Sequence, residues 1–396
     1  MSFDIALSGI QAINNQLDTI SNNIANSSTY GFKSGRANFS SMYAGTQPTG
    51  TEIGSVTQSI ELNGGVLNTG RPLDALINGR GFFVSRDSSG AMLYSRVGIF
   101  SKDKDGTLVD SSGRVVQGYA VVPGTTTLGP MGDLTIPTGQ VPAVASTKMN
   151  YVGNLSADWA PPLNPTFTPG DTQSYNMSAL TVAYDSLGTQ HSVTQYFVKN
   201  GTGGIDIHYT VDGGAPLTPT TTLTFNTSGQ LTSPLVPGTL PLTAAGAAAA
   251  LTVSVDYTGT TQFAGDSTTT TNKADGNASG TFIDVALAKD GSLIAQYSNG
   301  AKQTVGVVAL ATFPDEGALT AVSDTSWTSS TGSGTALYSA PGTGMAASLS
   351  TGQLEQSNVD VTSELVGLMT SQRNYQANSK VISTESAMMQ SLMQAI

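Results

Sequence analysis

Histidine is the side chain best suited to moving protons or holding a metal near neutral pH, and this chain of 396 residues has two, His191 and His208. Both fall in alternating segments that read as strands. No Glu occurs between residues 146 and 280 and the chain has no cysteine, so nothing completes a zinc set around either ring. Both read as surface or packing residues. Asp103-Lys104-Asp105-Gly106 looks like a piece of a calcium loop, but the Asp-x-Asp-x-Asp-Gly spacing and downstream Glu are missing, which leaves a hairpin turn. The 45 glycines include no Gly-x-Ser-x-Gly elbow, phosphate-cradling Gly-x-x-x-x-Gly-Lys run or Gly-x-Gly-x-x-Gly fingerprint, so they are read as turn residues. Asn154-Leu155-Ser156 and Asn176-Met177-Ser178 are short strings that arise by chance in a Ser-rich chain, and they are assigned no role. Met388, Met389 and Met393 offer soft side chains, but their helical spacing places them in a packing seam. No catalytic, cofactor-binding or metal-ligating residue is expected, and an enzyme is the least favoured class.

Composition narrows the partners. A formal charge of −11 with only 11% charged residues disfavours nucleic acid and anionic membrane, which reward clustered Lys and Arg. Absence of cysteine excludes a disulfide framework and a thiol nucleophile. Met1-Ser2-Phe3-Asp4-Ile5 has no positive region, apolar run or early cleavage motif, so a conventional signal peptide is not expected and any export takes another route. The apolar tract from Ala244 to Leu251 is too short to span a bilayer, and no membrane insertion is expected.

The elements that must position any function differ sharply along the chain. Phe3, Ala6, Ile10, Ile13, Leu17, Ile20 and Ile24 alternate three and four residues apart, the spacing of one coiled-coil stripe. Val361, Leu365, Leu368, Gln372, Tyr375, Ser379, Ile382, Ser386, Met389, Met393 and Ile396 keep the same alternation, weakened by the Gln and Ser positions. Asp360 and Glu364 at the start of this stretch, with Arg373 and Lys380 further on, suit a helix macrodipole. Between these ends the period falls to two. Ile205, Ile207, Tyr209 and Val211 alternate with polar residues, as do Leu251, Val253, Val255 and Tyr257, and Leu180-Val182-Tyr184 with Val193-Gln195-Phe197 reads as a hairpin turning at Asp185-Ser186-Leu187-Gly188. Turns are also expected at Asp87-Ser88-Ser89-Gly90, Asp290-Gly291 and Asn299-Gly300.

The fold class is therefore mainly β with α-helical termini. Residues 1–30 and 359–396 are expected as a terminal helical coiled-coil domain and 31–70 and 342–358 as an extended connector. An inner β domain follows from 71–145 and 274–341, and 146–273 form an inserted outer β-barrel or sandwich. Burying a stripe residue gives roughly 1.5–3 kcal/mol, while ordering each backbone residue costs about 1–2 kcal/mol. One helix pair alone is thus marginal, and the ends are expected to order fully only against further copies.

Ser21-Asn22-Asn23-Ile24-Ala25-Asn26 followed by Thr29-Tyr30-Gly31-Phe32-Lys33 resembles the motif shared by flagellar rod, hook and hook-associated axial proteins. Further runs are similar to that family: Asn68-Thr69-Gly70-Arg71-Pro72-Leu73-Asp74, Gly79-Arg80-Gly81-Phe82-Phe83, Tyr94-Ser95-Arg96-Val97-Gly98-Ile99-Phe100, Gly352-Gln353-Leu354-Glu355-Gln356-Ser357-Asn358-Val359-Asp360 and Gln372-Arg373-Asn374-Tyr375-Gln376-Ala377-Asn378. Within the family, length and the Gly31-Phe32-Lys33-Ser34-Gly35 wording favour a hook-type member over the shorter distal rod protein, the alternative inside the family.

The resemblance implies a structural subunit that self-polymerises into a hollow curved tube, a flexible joint passing motor torque from rod to filament. It also implies export through the flagellar type III apparatus without a cleaved signal, assembly beneath a hook cap, junctions with the distal rod protein and a hook-associated protein, and an extracellular place in the flagellum. From another class, a secreted β-rich adhesin or surface-binding module with coiled-coil ends is the alternative. Expected subunit-interface residues are Phe3, Ile10, Ile13, Leu17, Ile20, Asn22, Asn23, Ile24, Asn26, Val361, Leu365, Leu368, Tyr375, Ile382, Met389 and Ile396, with Asn22 and Asn23 available to hydrogen-bond neighbouring copies.

Overall fold

The computed structural model describes residues 2–121, 127–242 and 251–395, so Ile396 and positions 244–250 of the alanine tract lie outside the described residues. The molecule is mostly β with one helix at each end, α1 (Ser2–Ala25) and α2 (Val361–Ala395). Asp360 starts α2 as its cap: Oδ1 accepts from the Thr362 amide at 2.9 Å and Oδ2 from the Ser363 hydroxyl at 2.8 Å. Those bonds, the Ser363 hydroxyl foremost, hold the carboxyl below its ordinary value. The chain divides into two units, one of residues 1–137, 284–296 and 302–396, the other of 138–283 and 297–301.

In the first unit, α1 packs against α2 and against a β-hairpin, β1 (Gly35–Ala44) and β2 (Gln47–Gln58). Residues 35–58, expected within an extended connector, are therefore paired strands. Alternation of Thr49, Thr51, Ile53, Ser55 and Thr57 suits pairing, and Gly50 lets the strand approach α1, where a Cβ would sit 2.0 Å from Ser8 Oγ. The larger sheet of this unit runs in the order 282–287, 292–297, 302–308, 115–121, 82–86, 92–95, 326–328 and 320–322. Phe82, Tyr94, Phe313 and Trp327 fill its core, with Phe82 and Trp327 ring centroids 5.5 Å apart.

The second unit has a five-stranded antiparallel sheet in the order 177–184, 190–199, 205–211, 217–225 and 231–233. A four-stranded sheet runs 238–242, 251–256, 148–154 and 268–274, with 148–154 parallel to 251–256. One core joins them through Tyr151, Phe197, Ile207, Tyr209, Val253 and Tyr257. The Tyr257 hydroxyl donates to Gln195 Oε1 at 2.5 Å and lies 2.9 Å from the Tyr209 hydroxyl, so the polar groups of this core are paired. The strand Met177–Tyr184 turns Ala179, Thr181 and Ala183 inward and leaves Leu180 and Val182 exposed. Small residues face the core there because bulky Phe197 and the tyrosines already fill it.

Hairpin tips share one chemistry. Asp87, Asp110, Asp185, Asn200 and Asn226 each accept from the amides two and four residues ahead. A glycine three residues on takes positive φ in every case. Asp103 follows suit, its Oδ1 accepting from Asp105 and Thr107, which makes the expected turn.

Candidate functional site: the joined chain ends and the exposed helix faces

Where the two chain ends meet the first unit's sheet, three charges lie out of water. Lys33 Nζ donates to Glu355 Oε1 at 2.7 Å and to the Leu62 carbonyl at 2.6 Å, and Arg96 Nε lies 3.6 Å from Glu355 Oε2. All three side chains are 2% exposed or less. Gly64 N also donates to Glu355 Oε1, and Arg96 donates to Asn63 Oδ1 while its guanidinium stands over the Phe82 ring at 5.7 Å. Burial pulls both Lys33 and Arg96 below their ordinary pKa values, and the Glu355 carboxylate opposes that pull.

The backbone is built around this cluster. Gly31 takes φ +66°, its amide donates to the Glu355 carbonyl at 2.8 Å, and a Cβ there would meet Val97 Cγ2 at 3.0 Å and the Val97 amide nitrogen at 3.1 Å. Asn358 Oδ1 accepts from the Ser34 amide at 2.7 Å, and its Nδ2 donates to the carbonyls of Ser59 and Leu62. Asn23, 1% exposed, donates to Gly35 O and Glu364 Oε1 at 2.8 Å each and accepts from the Gly35 amide. Its amide group is thus engaged within its own chain. Asn22 is exposed, and its carbonyl and side-chain oxygens accept from Asn26 Nδ2, closing the end of α1.

The contact between α1 and α2 uses small and polar residues. Ser371 Oγ donates to Gln16 Oε1 at 3.0 Å, Asn378 lies against Gly9, and a Cβ at Gly367 would touch Ile20 Cδ1 at 3.4 Å. With Glu364, these positions form a column spaced three, four and seven residues apart. The apolar column expected on α2 mostly points elsewhere: Val361, Leu365, Tyr375 and Met389 are exposed, and Leu368 and Ile382 are partly buried. On α1, Ile13 and Ile20 are buried, Ile10, Leu17, Ile24 and Asn26 are partly buried, and Phe3 is exposed. Ile396 lies outside the described residues. Val366, Met369, Val381, Met388, Leu392 and Met393 extend the exposed apolar surface of α2. A groove of about 530 Å³ runs between α1, the hairpin and α2, lined by Ile5, Gly9, Ile13, Phe39, Pro48 and Ala377 among others.

Four family models match in chain order: Flagella basal body rod protein over residues 3–33, Flagellar hook protein FlgE/F/G D1 domain over 76–157, Flagellar basal body protein FlaE D2 domain over 154–277, and Flagellar basal body rod FlgEFG protein C-terminal over 350–395. The flagellar hook protein FlgE of Salmonella typhimurium is 36% identical over 404 residues, covering 99% of this chain and 99% of that protein. The chain belongs to the flagellar hook protein family. It is similar also to the hook proteins of Escherichia coli, 35% identical with 99% of each chain covered, and of Brucella suis, 32% identical with 97% and 96% covered. The solved structure of Helicobacter pylori flagellar hook protein FlgE2 overlays 68% of this chain and 96% of its own at 13% identity and TM-score 0.49. The chain is a structural subunit of the bacterial flagellar hook. Three of the runs that resembled the family converge in space: Lys33 comes from one, Arg96 from a second, and Glu355 and Asn358 from a third. Sequence reasoning quoted those runs but did not foresee the buried charge cluster. The available signal was their charge in a chain with only 11% charged residues.

Proposed function

We propose that this hook-family chain polymerises with identical copies into a hollow curved tube that bends while passing torque from rod to filament. The observation that carries the reading is the pairing of α1 with α2 through small and polar residues, which leaves Leu365, Val366, Met369, Met389 and Met393 of α2 exposed. Apolar side chains repeated along a helix are unfavourable in water, and full burial stabilises by roughly 1.5–3 kcal/mol each. Many copies arranged around a common axis supply that burial. The interface residues named from sequence belong to this proposal, with Ile13, Ile20 and Asn23 acting through the fold of their own subunit.

The proposal extends to partners of the axial assembly: the distal rod protein below, a hook-associated junction protein above, a hook cap during growth and the type III apparatus for export to the cell exterior. It includes no enzymatic step. Purified protein concentrated to the millimolar range and viewed by electron microscopy tests it. Tubes or curved hooks support the reading; dispersed particles at every concentration and salt condition refute it.

A further inference from the structure

At one end of the second unit a histidine is held between two carboxylates from different parts of the chain. His191, 5% exposed on the strand Gln190–Lys199, has Nδ1 at 2.8 Å from Asp212 Oδ2 and Nε2 at 3.6 Å from Asp185 Oδ2. Asp185 heads the turn that joins Met177–Tyr184 to the His191 strand, its Oδ1 accepting from the amides of Leu187 and Thr189. Asp212 follows the strand Ile205–Val211 at φ 50° and is followed by Gly213 at φ 69°, the left-handed pair that an Asp-Gly hairpin turn uses. Its Oδ1 accepts from the Ser192 amide at 2.8 Å and its own amide donates to the Ser192 carbonyl at 2.9 Å.

The turn headed by Asp185 rests on the two segments by which the chain enters and leaves this unit. A Cβ at Gly188 would lie 2.8 Å from Ala143 Cβ and 3.3 Å from the Ser279 amide nitrogen. Ser146 and Tyr184 exchange two hydrogen bonds, and Val141 and Val144 pair antiparallel with Gly280 and Asn277. Whatever fixes the turn therefore fixes the base of the unit.

We propose that His191 is a proton-operated clasp: as imidazolium it donates from Nδ1 to Asp212 and attracts the Asp185 carboxylate, 3.6 Å from Nε2, as an ion pair, and so seats the turn on the entry and exit segments. As neutral imidazole it has one N–H and can serve only one carboxylate, so that end of the unit loosens. Electrostatics act in the same sense. The hydrogen bond to Asp212 raises the ring above its ordinary 6.5, against burial and with help from both carboxylate charges. Asp185 and Asp212 stay below their ordinary values although burial opposes this, because amide donors and the ring hold them ionised. Among the other titratable groups on the elements packed nearby, Tyr184 pairs across to Gln190 and Asp275 accepts from the amides of Thr147 and Lys148. Since the folded-state value is raised, the clasp's stabilisation is complete below pH 6.5 and is lost as pH rises through the raised value.

Only His191 and His208 contribute imidazole signals, and burial lowers His208, which stacks on Phe167 at 4.2 Å, so the two titrations separate. The test follows the imidazole protons of the full chain by NMR between pH 5 and pH 9, with amide exchange at Gly188 and Ser279 in wild type, His191→Gln and Asp212→Asn. The expected result is a wild-type opening step that tracks the His191 titration. Above it the opening fraction relative to His191→Gln rises roughly tenfold for each pH unit by which the ring stands above its ordinary value. His191→Gln should show no step, and Asp212→Asn, which removes a carboxylate that is half exposed, should move it to lower pH. A wild-type chain without a step, a step retained in His191→Gln, or one at unchanged pH in Asp212→Asn overturns the clasp.

Discussion

Lys33, Arg96 and Glu355 bring two positive charges and one negative charge together where bulk solvent does not reach. Such a cluster is weak as a source of stability but costly to break, because the residual charges stay buried. Glu355→Gln should lower the unfolding free energy of the first unit by about 3–5 kcal/mol. Fluorescence of buried Trp327, isolated by Trp159→Phe, reports that transition. An unchanged denaturation midpoint would show the three charges to be uncoupled. Gly31→Ala should act in the same direction, since it demands both a left-handed backbone and space already held by Val97. This level was only half legible from sequence. The runs containing Lys33 and Glu355 stood out by resemblance, but nothing local links two residues separated by 322 positions. The turns were readable because an Asp or Asn, two intervening residues and a glycine carry their geometry locally, as at Asp87 and Asp185.

At the scale of elements, period was a good guide to type and a poorer guide to facing. The stripe of α1 was visible, and Ile13 and Ile20 lie buried where it placed them. On α2 the heptad spacing was legible, but the intramolecular contact falls on Glu364, Gly367, Ser371 and Asn378. Two helices approach closely where side chains are small, so the larger apolar residues are left on other faces. Hairpin β1–β2 was hidden by its glycines, which resemble linker composition and instead mark close approach, as at Gly50. In the second unit, Leu180 and Val182 were the conspicuous apolar residues of their strand, yet Ala179 and Ala183 face the core. These placements separate two kinds of helix mutation. Leu365→Asp with Met389→Asp should change monomer stability by less than about 0.5 kcal/mol, as exposed substitutions do, and still abolish tubes in electron micrographs. Ile13→Asp should reduce helical circular dichroism in the monomer itself, because it puts a charge beneath α2 and the hairpin. Tubes of normal length from the α2 double variant would remove that face from the interface.

For the whole molecule, the helix pair and the β units are stabilised by different means. The helix pair leaves much of its apolar surface, such as Leu365, Met369 and Met389, in water, whereas the second unit encloses its own core of Tyr151, Phe197, Tyr209 and Tyr257. Amide exchange should therefore slow in residues 2–25 and 361–395 as concentration rises, while the core amides of the second unit keep constant rates. Helices equally protected in dilute and concentrated samples would contradict assembly-dependent ordering. Residues 146–273 can also be excised with little distortion of their flanks, because Val144 and Asn277 already pair across the gap. Tubes should still form from such a chain but with altered curvature. The division of the backbone between the units has a mechanical corollary. Peptide links pass from one unit to the other after residues 137, 283, 296 and 301, so a pull on the second unit is shared by four covalent tethers, and a protease that severs any single one leaves the pieces travelling together.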